Sequence, residues 1–383
     1  MTEPANFYDY RELARRRVPR MLFDYMDGGA GLETTLRRST EAMEQLTLRQ
    51  RVMCDVSEIK LSTELLGQSL ALPLVLGPIG MAGMFARRGE VQAQRAAAKA
   101  GVASCLSTLS IASVEEVAKG APAPPWFQLY MIKDRGYMRE LLARARECGC
   151  PVLMFTVDLQ VPGTRYRDMR SGLAGGLDAA GHVSRAFDGL THPRWMWDLM
   201  VRGQPHNFGN LAAAMPDARG AADFWVWVRE SFDPSMTWSE MAWVREQWPG
   251  PILIKGVLDL EDAREAVRTG ADGIVVSNHG GRQLDGAPTT VRALPPIVDA
   301  LGDQTTVMVD GGIRSGVDVL KCLALGAKGV VLGRAWSFAL AARGEAGVSH
   351  MLRAIRSELL TAMALTGCTD VNKAGRELLG DAP

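Results

Sequence analysis

The stretch Gly273-Ile-Val-Val-Ser277-Asn-His279-Gly-Gly-Arg282 joins a short apolar run to a polar segment that contains two adjacent glycines. An apolar run of this length is typical of a strand buried on both faces, and the polar segment is typical of the loop that leaves its carboxyl end. Parallel α/β proteins carry their functional groups at these strand ends. His279 can exchange a proton near neutral pH, and Arg282 can hold a carboxylate through two parallel hydrogen bonds.

A histidine three residues before an arginine is, taken alone, more typical of an ordinary surface turn. The neighbouring polar residues and the paired glycines favour a functional loop instead, because a permissive backbone is useful where a ligand approaches closely. We therefore interpret this loop as the place where a base and an anion-binding group come together.

The same succession of apolar run, turn and helix-period segment occurs eight times from residue 72 onwards. The runs are Leu72–Gly77, Ala103–Ser107, Trp126–Tyr130, Val152–Asp158, Ile252–Gly256, Gly273–Ser277, Thr306–Asp310 and Gly329–Gly333. Successive runs start 21 to 33 residues apart, except for an interval of 100 residues after the fourth. This pattern predicts an α/β fold, a (β/α)8 TIM barrel with a long insertion after strand 4. An open doubly wound sheet is disfavoured because no GxGxxG follows the first strand.

The chain of 383 residues, with 47% hydrophobic content, fits one large domain. We expect a single domain over 1–383, in which 1–71 is an N-terminal helical cap and 72–343 is the barrel core. The insertion is expected at about 159–251, and 344–383 is expected to form a C-terminal helix and tail.

The cap is predicted in two parts. The first, from Phe7 to about Asp27, has a helical pattern that ends at Gly28-Gly29, and we expect one helix there. Residues 30–70 are predicted to form a second helix and a short hairpin that closes one end of the barrel.

Charge and targeting signals limit the classes of partner. The 43 basic residues balance the 43 acidic ones, so no overall field attracts nucleic acid. The N-terminus lacks the pattern of a signal peptide, and no stretch reaches eighteen apolar residues. These features predict a cytoplasmic protein that can be peripheral to a membrane. No metal site is predicted, because the six cysteines do not have zinc-binding spacing.

The carboxyl ends of the eight strands should converge on one mouth of the barrel. They carry Pro78-Ile79-Gly80, Ser107, Gln128, Tyr130, Thr156, Asp158, Lys255, Ser277 to Arg282, Asp310-Gly311-Gly312, Arg314 and Gly333-Arg334. The glycine-rich loops with an arginine after strands 7 and 8 are typical of a phosphate site. Amides and hydroxyls beside the ammonium of Lys255 suit a flat, hydrogen-bonding heterocycle that carries negative charge.

The stretch Ser277-Asn-His-Gly-Gly-Arg-Gln-Leu-Asp285 resembles the signature of the FMN-dependent 2-hydroxy acid oxidase and dehydrogenase family. The similarity runs from about Tyr8 to Asp370. Segments such as Tyr25-Met-Asp-Gly-Gly-Ala30 and Gly163-Thr-Arg-Tyr-Arg-Asp168 are most similar to the branch of bacterial quinone-linked L-lactate dehydrogenases.

The resemblance implies roles for individual residues. His279 resembles the active-site base, and Asp158 resembles the carboxylate that hydrogen-bonds to it. Arg282 and Arg165 resemble the pair that holds the substrate carboxylate, and Tyr25 and Tyr130 resemble the phenols over the substrate. The residues that resemble FMN contacts are Pro78, Ile79, Gly80, Ser107, Gln128, Thr156, Lys255, Ser277, Asp310, Gly311, Gly312, Arg314, Gly333 and Arg334.

The resemblance also implies an activity: oxidation of an L-2-hydroxy acid, L-lactate first among them, to the 2-oxo acid, with electrons passed to a quinone or another carrier. Alternatives are an oxidase that releases H2O2 and a mandelate-type dehydrogenase. Gly80 favours a dehydrogenase, since plant glycolate oxidases have alanine there, and Leu109 stands where glycolate oxidases have tryptophan. A flavin-binding barrel without catalysis would be expected to lack His279, Arg282 or Arg165. Whether the base takes the Cα proton or the hydroxyl proton stays open.

The insertion contains seven of the nine tryptophans. Its segment 185–202 includes Trp195-Met-Trp-Asp-Leu-Met-Val201 between two arginines, which is compatible with a helix in a membrane interface. An amphipathic helix docked on the barrel, or a lid over the active site, explains the same pattern equally well. The family resemblance implies a peripheral location on the inner face of the cell membrane and a homotetramer.

Overall fold

The computed structural model describes residues 3–173, 179–203, 207–214 and 221–380. Eight parallel strands form a closed barrel, which confirms the (β/α)8 prediction. A small antiparallel hairpin, β1 (Thr63–Leu65) and β2 (Gln68–Leu70), precedes it. The barrel strands are β3 (Leu74–Leu76), β4 (Ala103–Ser107), β5 (Trp126–Tyr130), β6 (Leu153–Thr156), β7 (Ile252–Val257), β8 (Gly273–Val276), β9 (Thr306–Val309) and β10 (Gly329–Leu332).

The helices surround this barrel and extend it at both termini. They are α1 (Phe7–Arg17), α2 (Arg20–Asp27), α3 (Thr34–Gln45), α4 (Gly89–Lys99), α5 (Val114–Gly120), α6 (Arg135–Glu147), α7 (Tyr166–Arg170), α8 (Ala179–Leu190), α9 (Pro193–Trp195), α10 (Ala221–Ser231), α11 (Glu240–Gln247), α12 (Leu260–Arg268), α13 (Thr290–Leu301), α14 (Gly316–Ala324) and α15 (Arg334–Thr366). A π-helix, Met196–Val201, continues α9, and 3-10 helices occupy Ala82–Met84, Val371–Lys373 and Arg376–Leu378. A kink at Gly344 divides α15 into two helices.

The prediction of one helix from Phe7 to Asp27 is wrong, because the chain breaks at Pro19. Val18 has ψ of 149° and ends α1 in an extended conformation. A residue before proline is disfavoured in the helical region because the proline ring collides with it. Two shorter helices result, and their junction turns α2 so that its end approaches the barrel.

The hairpin closes the amino-terminal end of the barrel, as the sequence predicts for residues 30–70. Leu65 and Leu70 are buried in one cluster with residues of the barrel strands. A side chain at Gly329, the first residue of β10, would lie 2.7 Å from the Leu65 side chain. With this end closed, the opposite mouth is the one left for a ligand.

The insertion between β6 and β7 folds back onto the barrel. The Trp195 indole donates to the Met84 carbonyl at 2.9 Å. The Asn210 side chain is fully buried, donates to the Ser107 carbonyl at 3.1 Å and accepts from the Val114 amide at 2.8 Å. Both contacts reach loops that leave the carboxyl ends of barrel strands, so the insertion covers part of the functional mouth.

Candidate active site

The loop after β8 has an unusual backbone. His279, Gly280 and Gly281 all have positive φ, at 55°, 63° and 74°. For histidine this left-handed conformation costs on the order of 1–3 kcal/mol, and such residues cluster at functional sites. The His279 amide donates to the Ser277 hydroxyl at 3.0 Å, and the Gly281 amide donates to the Asn278 carbonyl at 2.9 Å. These bonds fix a tight turn that carries the imidazole to the barrel mouth.

The predicted base and its predicted carboxylate are in contact. His279 Nδ1 lies 2.9 Å from Asp158 Oδ1. A bulge in β7 makes this approach possible, because Gly256 has φ of 111° and a Cβ there would lie 2.5 Å from the Asp158 carboxyl carbon. An ionised carboxylate can only accept, so Nδ1 carries the proton and Nε2 is the acceptor.

Charges around this pair set its protonation. Burial lowers the pKa of His279 below its ordinary value, and the charges of Lys255 and Arg165 lower it further, while Asp158 opposes them. Burial would raise the pKa of Asp158, but His279 and Lys255 more than offset this, and it lies below its ordinary value. Near neutral pH the pair is therefore a neutral imidazole beside a carboxylate, which is the state required of a base.

Two arginines lie beside the imidazole in the cavity. Arg282 donates to the backbone carbonyls of Tyr25 and Gly28, and its guanidinium lies 4.7 Å from the centre of the Tyr25 ring. Arg165 donates to the Arg282 carbonyl at 3.2 Å and lies 3.5 Å from Asp168 Oδ2. Burial and the charge of Arg282 lower the pKa of Arg165 to about 10. An anionic ligand between the two guanidiniums would relieve this repulsion.

The two tyrosines predicted over the substrate also line the cavity. Burial raises the pKa of Tyr130, so its phenol stays protonated and able to donate. Its ring packs on Phe232 with a centroid distance of 5.1 Å. A Cβ at Gly80 would lie 3.2 Å from the Tyr25 hydroxyl and 3.2 Å from Leu109 Cβ, so residue 80 controls the space around that phenol.

Lys255 is a buried cation with satisfied partners. Its ammonium donates to the Ser277 hydroxyl at 2.9 Å and lies 3.0 Å from Asp310 Oδ2. Burial would lower its pKa, but the carboxylates of Asp310 and Asp158 raise it above the ordinary value. A permanent positive charge is thus held at the strand ends.

Two buried side chains at these strand ends, Gln128 and Thr156, each have one polar atom without a hydrogen-bond partner among the described residues. Gln128 accepts from the Ser107 hydroxyl at 3.2 Å, but within the described part of the chain its Nε2 has no acceptor and Thr156 Oγ1 has no partner. Both side chains are at most 2% exposed. An unsatisfied buried donor costs about 1–3 kcal/mol, so these groups are suited to a ligand that carries hydrogen-bonding atoms.

The loops after β9 and β10 have the features of an anion site. Gly311 and Gly312 have φ of 87° and 78°, and the chain enters α14 soon afterwards. Arg334 donates to the carbonyls of Met26, Gly28 and Gly280. It therefore joins the cap to the loop after β8 as well as lining the cavity, a contact that the sequence did not indicate.

Arg314 packs its guanidinium 4.6 Å from the centre of the Phe7 ring and donates to the Ile313 carbonyl at 3.0 Å. Burial lowers the pKa of Arg314 and of Arg334. Nearby carboxylates do not fully offset that burial, so a bound anion would stabilise both charged forms.

The cavity at the mouth has an empty volume of about 1090 Å³, part of it open to solvent. Most of the predicted site residues line it: Tyr25, Pro78, Ile79, Gly80, Tyr130, Arg165, Lys255, His279, Arg282, Asp310, Gly311, Gly312, Arg314, Gly333 and Arg334. The predicted residues Ser107, Gln128, Thr156, Asp158 and Ser277 are not among the lining residues, although Asp158 contacts His279 and Ser277 contacts Lys255.

Sequence reasoning missed several lining residues. Leu159 directly follows Asp158 and Pro162 comes three residues later, so their place after a strand end was a usable signal. Val228 comes from α10 of the insertion and is 1% exposed. Nothing in its local sequence distinguishes it from a core valine.

Comparison with known proteins agrees with this geometry. A family model described as FMN-dependent dehydrogenase matches residues 14–381. The chain belongs to this family. An L-lactate dehydrogenase of Caulobacter vibrioides is 54% identical over 373 residues, which is 97% of both chains. An L-lactate dehydrogenase of Pectobacterium atrosepticum is 52% identical over 363 residues, covering 95% of this chain and 93% of that protein.

Solved structures of FMN-dependent dehydrogenase relatives share the fold. A monotopic membrane protein, (S)-mandelate dehydrogenase, superposes with a TM-score of 0.92 at 35% identity, covering 99% of this chain and 100% of that one. A mandelate oxidase crystallised with (S)-4-hydroxymandelic acid gives a TM-score of 0.84 at 36% identity, covering 98% of each chain.

The residues present fit the cofactor named by the family. The Gln128 amide and Thr156 hydroxyl offer hydrogen bonds to a heterocycle, and Lys255 offers a positive charge beside them. At the other end, Arg314 and Arg334 are buried with lowered pKa values, as expected where a phosphate supplies the missing negative charge.

We expect Arg314→Met to weaken FMN binding by about 1.5–3 kcal/mol, the contribution of a hydrogen bond to a charged group. This corresponds to roughly 10- to 150-fold in the dissociation constant. The measurement is quenching of FMN fluorescence on titration with the apoprotein. Arg292→Met, on the exposed face of α13, is the matched control. Equal affinities for both variants would show that Arg314 does not contact the phosphate.

Proposed function

We propose that this FMN-dependent dehydrogenase oxidises L-lactate to pyruvate at the cavity that holds His279. The observation that carries the proposal is the group of a neutral, carboxylate-bound imidazole and two cavity-lining arginines at one barrel mouth. The L-lactate dehydrogenases that are 51–54% identical over nearly the whole chain support the choice of substrate.

The chain's own groups account for substrate orientation and proton transfer. Arg282 and Arg165 bind the carboxylate, which fixes the Cα hydrogen and the hydroxyl relative to the base. His279 Nε2 accepts one proton, and Asp158 stabilises the imidazolium that forms. FMN, when bound, would accept the two electrons together with the second proton, so both hydrogens lost by the substrate are accounted for. Lys255 keeps a positive charge beside the cofactor site, where it favours the more negative, reduced form.

Three aliphatic side chains that line the cavity suit a small apolar substituent on the substrate. Leu109, Leu159 and Val228 are each at most 8% exposed and line it without polar groups. They present only aliphatic surface to the substrate's side chain. The methyl group of lactate fits this surface at low cost in desolvation.

Anaerobic mixing with L-lactate should bleach the flavin of the purified protein, and the bleaching should be faster than with mandelate or D-lactate.

Arg282→Lys keeps the charge but loses the paired hydrogen bonds, so we expect a loss of roughly 10-fold or more in reduction rate over half-saturation. Arg165→Met should show a similar loss. Both are measured by stopped-flow absorbance.

Arg292→Met again serves as the control and should reduce like the parent. If both cavity variants match the parent in rate and half-saturation, the carboxylate is bound elsewhere. If the parent is bleached by mandelate and not by L-lactate, the proposed substrate is wrong while the proposed chemistry stands.

The reduction rate should rise with pH through the pKa of His279 and then level off. The neutral imidazole is the active form, and burial lowers its pKa below the ordinary 6.5, so activity is lost only as the pH falls below that lowered value. Asp158→Asn removes a group that raises this pKa, so the acidic limb should move to lower pH. The maximal rate should fall by about 10² because the imidazolium loses its partner. An unmoved limb would contradict the role of Asp158.

We further propose that the electron acceptor is a quinone or another carrier. Gly80 supports this choice over an oxidase through the family resemblance, because plant glycolate oxidases have alanine there. An alanine at residue 80 of this chain would lie 3.2 Å from both the Tyr25 hydroxyl and Leu109 Cβ. The family resemblance also supports a homotetramer, which we propose on that ground alone.

We propose that residues 185–202 contact the membrane from the cytoplasmic side. Among the described helices, none is long and apolar enough to cross a bilayer. Trp195 and Leu199 face the barrel, whereas Trp197, Val201 and Phe187 are about 60% exposed or more. A docked helix with an exposed apolar face suits an interfacial contact. The similarity to (S)-mandelate dehydrogenase, a monotopic membrane protein, supports the same interpretation.

The protein should sediment with vesicles of phosphatidylcholine and phosphatidylglycerol. Trp197→Ser with Val201→Ser should weaken this binding by roughly tenfold or more, since two apolar side chains no longer leave water. Val52→Ser, which changes a still more exposed apolar residue outside the insertion, is the control. Parent protein that remains in the supernatant would contradict the membrane contact.

A further inference from the structure

The cap contributes a short segment, residues 25–31, that lies between two loops of the active site. The Gly31 amide donates to the Thr164 carbonyl at 2.8 Å, in the loop after β6. The Ala30 amide donates to the Gly281 carbonyl at 2.8 Å, in the loop after β8. The segment therefore bridges the two loops that carry the substrate-binding arginines.

Asp27 is a buried carboxylate at the start of this bridge. Its side chain is 9% exposed. It receives two bonds from Arg11 on α1, at 2.6 and 2.7 Å, and one from Arg167 on α7, at 2.7 Å. Burial alone would raise the pKa of Asp27, but the two guanidiniums hold it below the ordinary value. The carboxylate thus joins the cap to the loop after β6 through a charged contact.

Arg167 holds the cap at more than this one point. Its Nε lies 3.0 Å from Glu33 Oε1, and the same oxygen accepts from the Gly29 amide at 3.0 Å. Its NH1 also lies 3.6 Å from Asp24. Its Cδ lies 3.4 Å from the position that a Cβ at Gly28 would occupy. The guanidinium and its aliphatic stem together fix the cap segment.

The ends of this contact stand next to substrate-binding groups. Arg167 follows Arg165 by two residues in the first turn of α7, and Asp27 follows Tyr25 by two residues at the end of α2. Tyr25 and Arg165 line the cavity, whereas Asp27 and Arg167 do not. Only Met26 separates Asp27 from Tyr25, and only Tyr166 separates Arg167 from Arg165. A displacement of the ion pair would therefore also displace Tyr25 and Arg165.

We propose that the Arg167–Asp27 ion pair is a positioning contact for the reaction: it sets Arg165 and Tyr25 at their working separation without touching the substrate. This inference rests on the proposed function. It makes the cap part of the substrate site, and it places one specific charge pair in control of substrate affinity.

Single substitutions at this pair should leave the fold intact. In Arg167→Met, Asp27 keeps both bonds from Arg11. In Asp27→Asn, Arg167 keeps Glu33. Neither change leaves the remaining member of the pair without a counter-charge, so the expected effect is displacement of the bridge and not unfolding.

Stopped-flow reduction of the holoenzyme by L-lactate tests the proposal. Both variants should raise the half-saturation and lower reduction rate over half-saturation by roughly 10- to 100-fold, the cost of a small misplacement of the reactants. FMN content should be unchanged. The control is Arg20→Met, which removes the exposed partner of Asp24 on the same helix and should behave like the parent.

A double-mutant cycle separates positioning from a general structural effect. Because the two side chains share one contact beside their separate bonds to Arg11 and Glu33, the double variant should lose less than the sum of the two single variants, and Arg167→Lys should recover part of the loss. Fully additive losses, parent-like half-saturation, or losses that follow FMN content would overturn the proposal.

Oxalate offers carboxylates to the two arginines and has no Cα hydrogen to lose, so its binding to the holoenzyme, followed by flavin absorbance, is a readout that does not depend on turnover. The pair variants should bind it more weakly than Arg20→Met does, and equal binding would overturn the proposal. Failure of the parent to be reduced by L-lactate would instead contradict the proposed function alone.

Discussion

Uncompensated positive charge at the mouth of the barrel is the constraint on which the site depends. Within the described part of the chain, five cations line the cavity: Arg165, Lys255, Arg282, Arg314 and Arg334. Asp310 lines it with them, and Asp158 and Asp168 lie behind it. The cations exceed these carboxylates, and burial lowers the pKa of Arg165, Arg314 and Arg334, so the site favours anionic ligands. A cofactor phosphate and a substrate carboxylate are the anions that would complete the charge balance.

The same constraint explains how the strained loop after β8 is held. His279 occupies a left-handed conformation that few non-glycine residues adopt. Arg334 and Ala30 bind the carbonyls of the two glycines that follow it. The backbone carbonyls that accept from Arg334 stabilise its positive charge, and the same hydrogen bonds hold the turn in place. Charge compensation and geometric control of the base are supplied by one side chain.

The barrel was predictable from sequence because its strands are buried on both faces, and continuous apolar runs such as Gly273–Val276 result. The strand ends then placed most site residues by topology alone, and the break at Pro19 was visible in principle because proline restricts the residue before it. Contacts between distant residues were not predictable, since local sequence does not encode them. Asn210 meets Ser107 across more than a hundred residues, and Val228 enters the cavity only because α10 folds back over the barrel.

The insertion has two sides with different tasks. One side packs on the barrel through Trp195 and Asn210 and brings Val228 to the cavity. The other exposes Trp197 and Val201 to the surroundings. Arg165 and Arg167 lie where this insertion begins, so the docked insertion and the contacts of the cap with Arg167 meet at one stretch of chain.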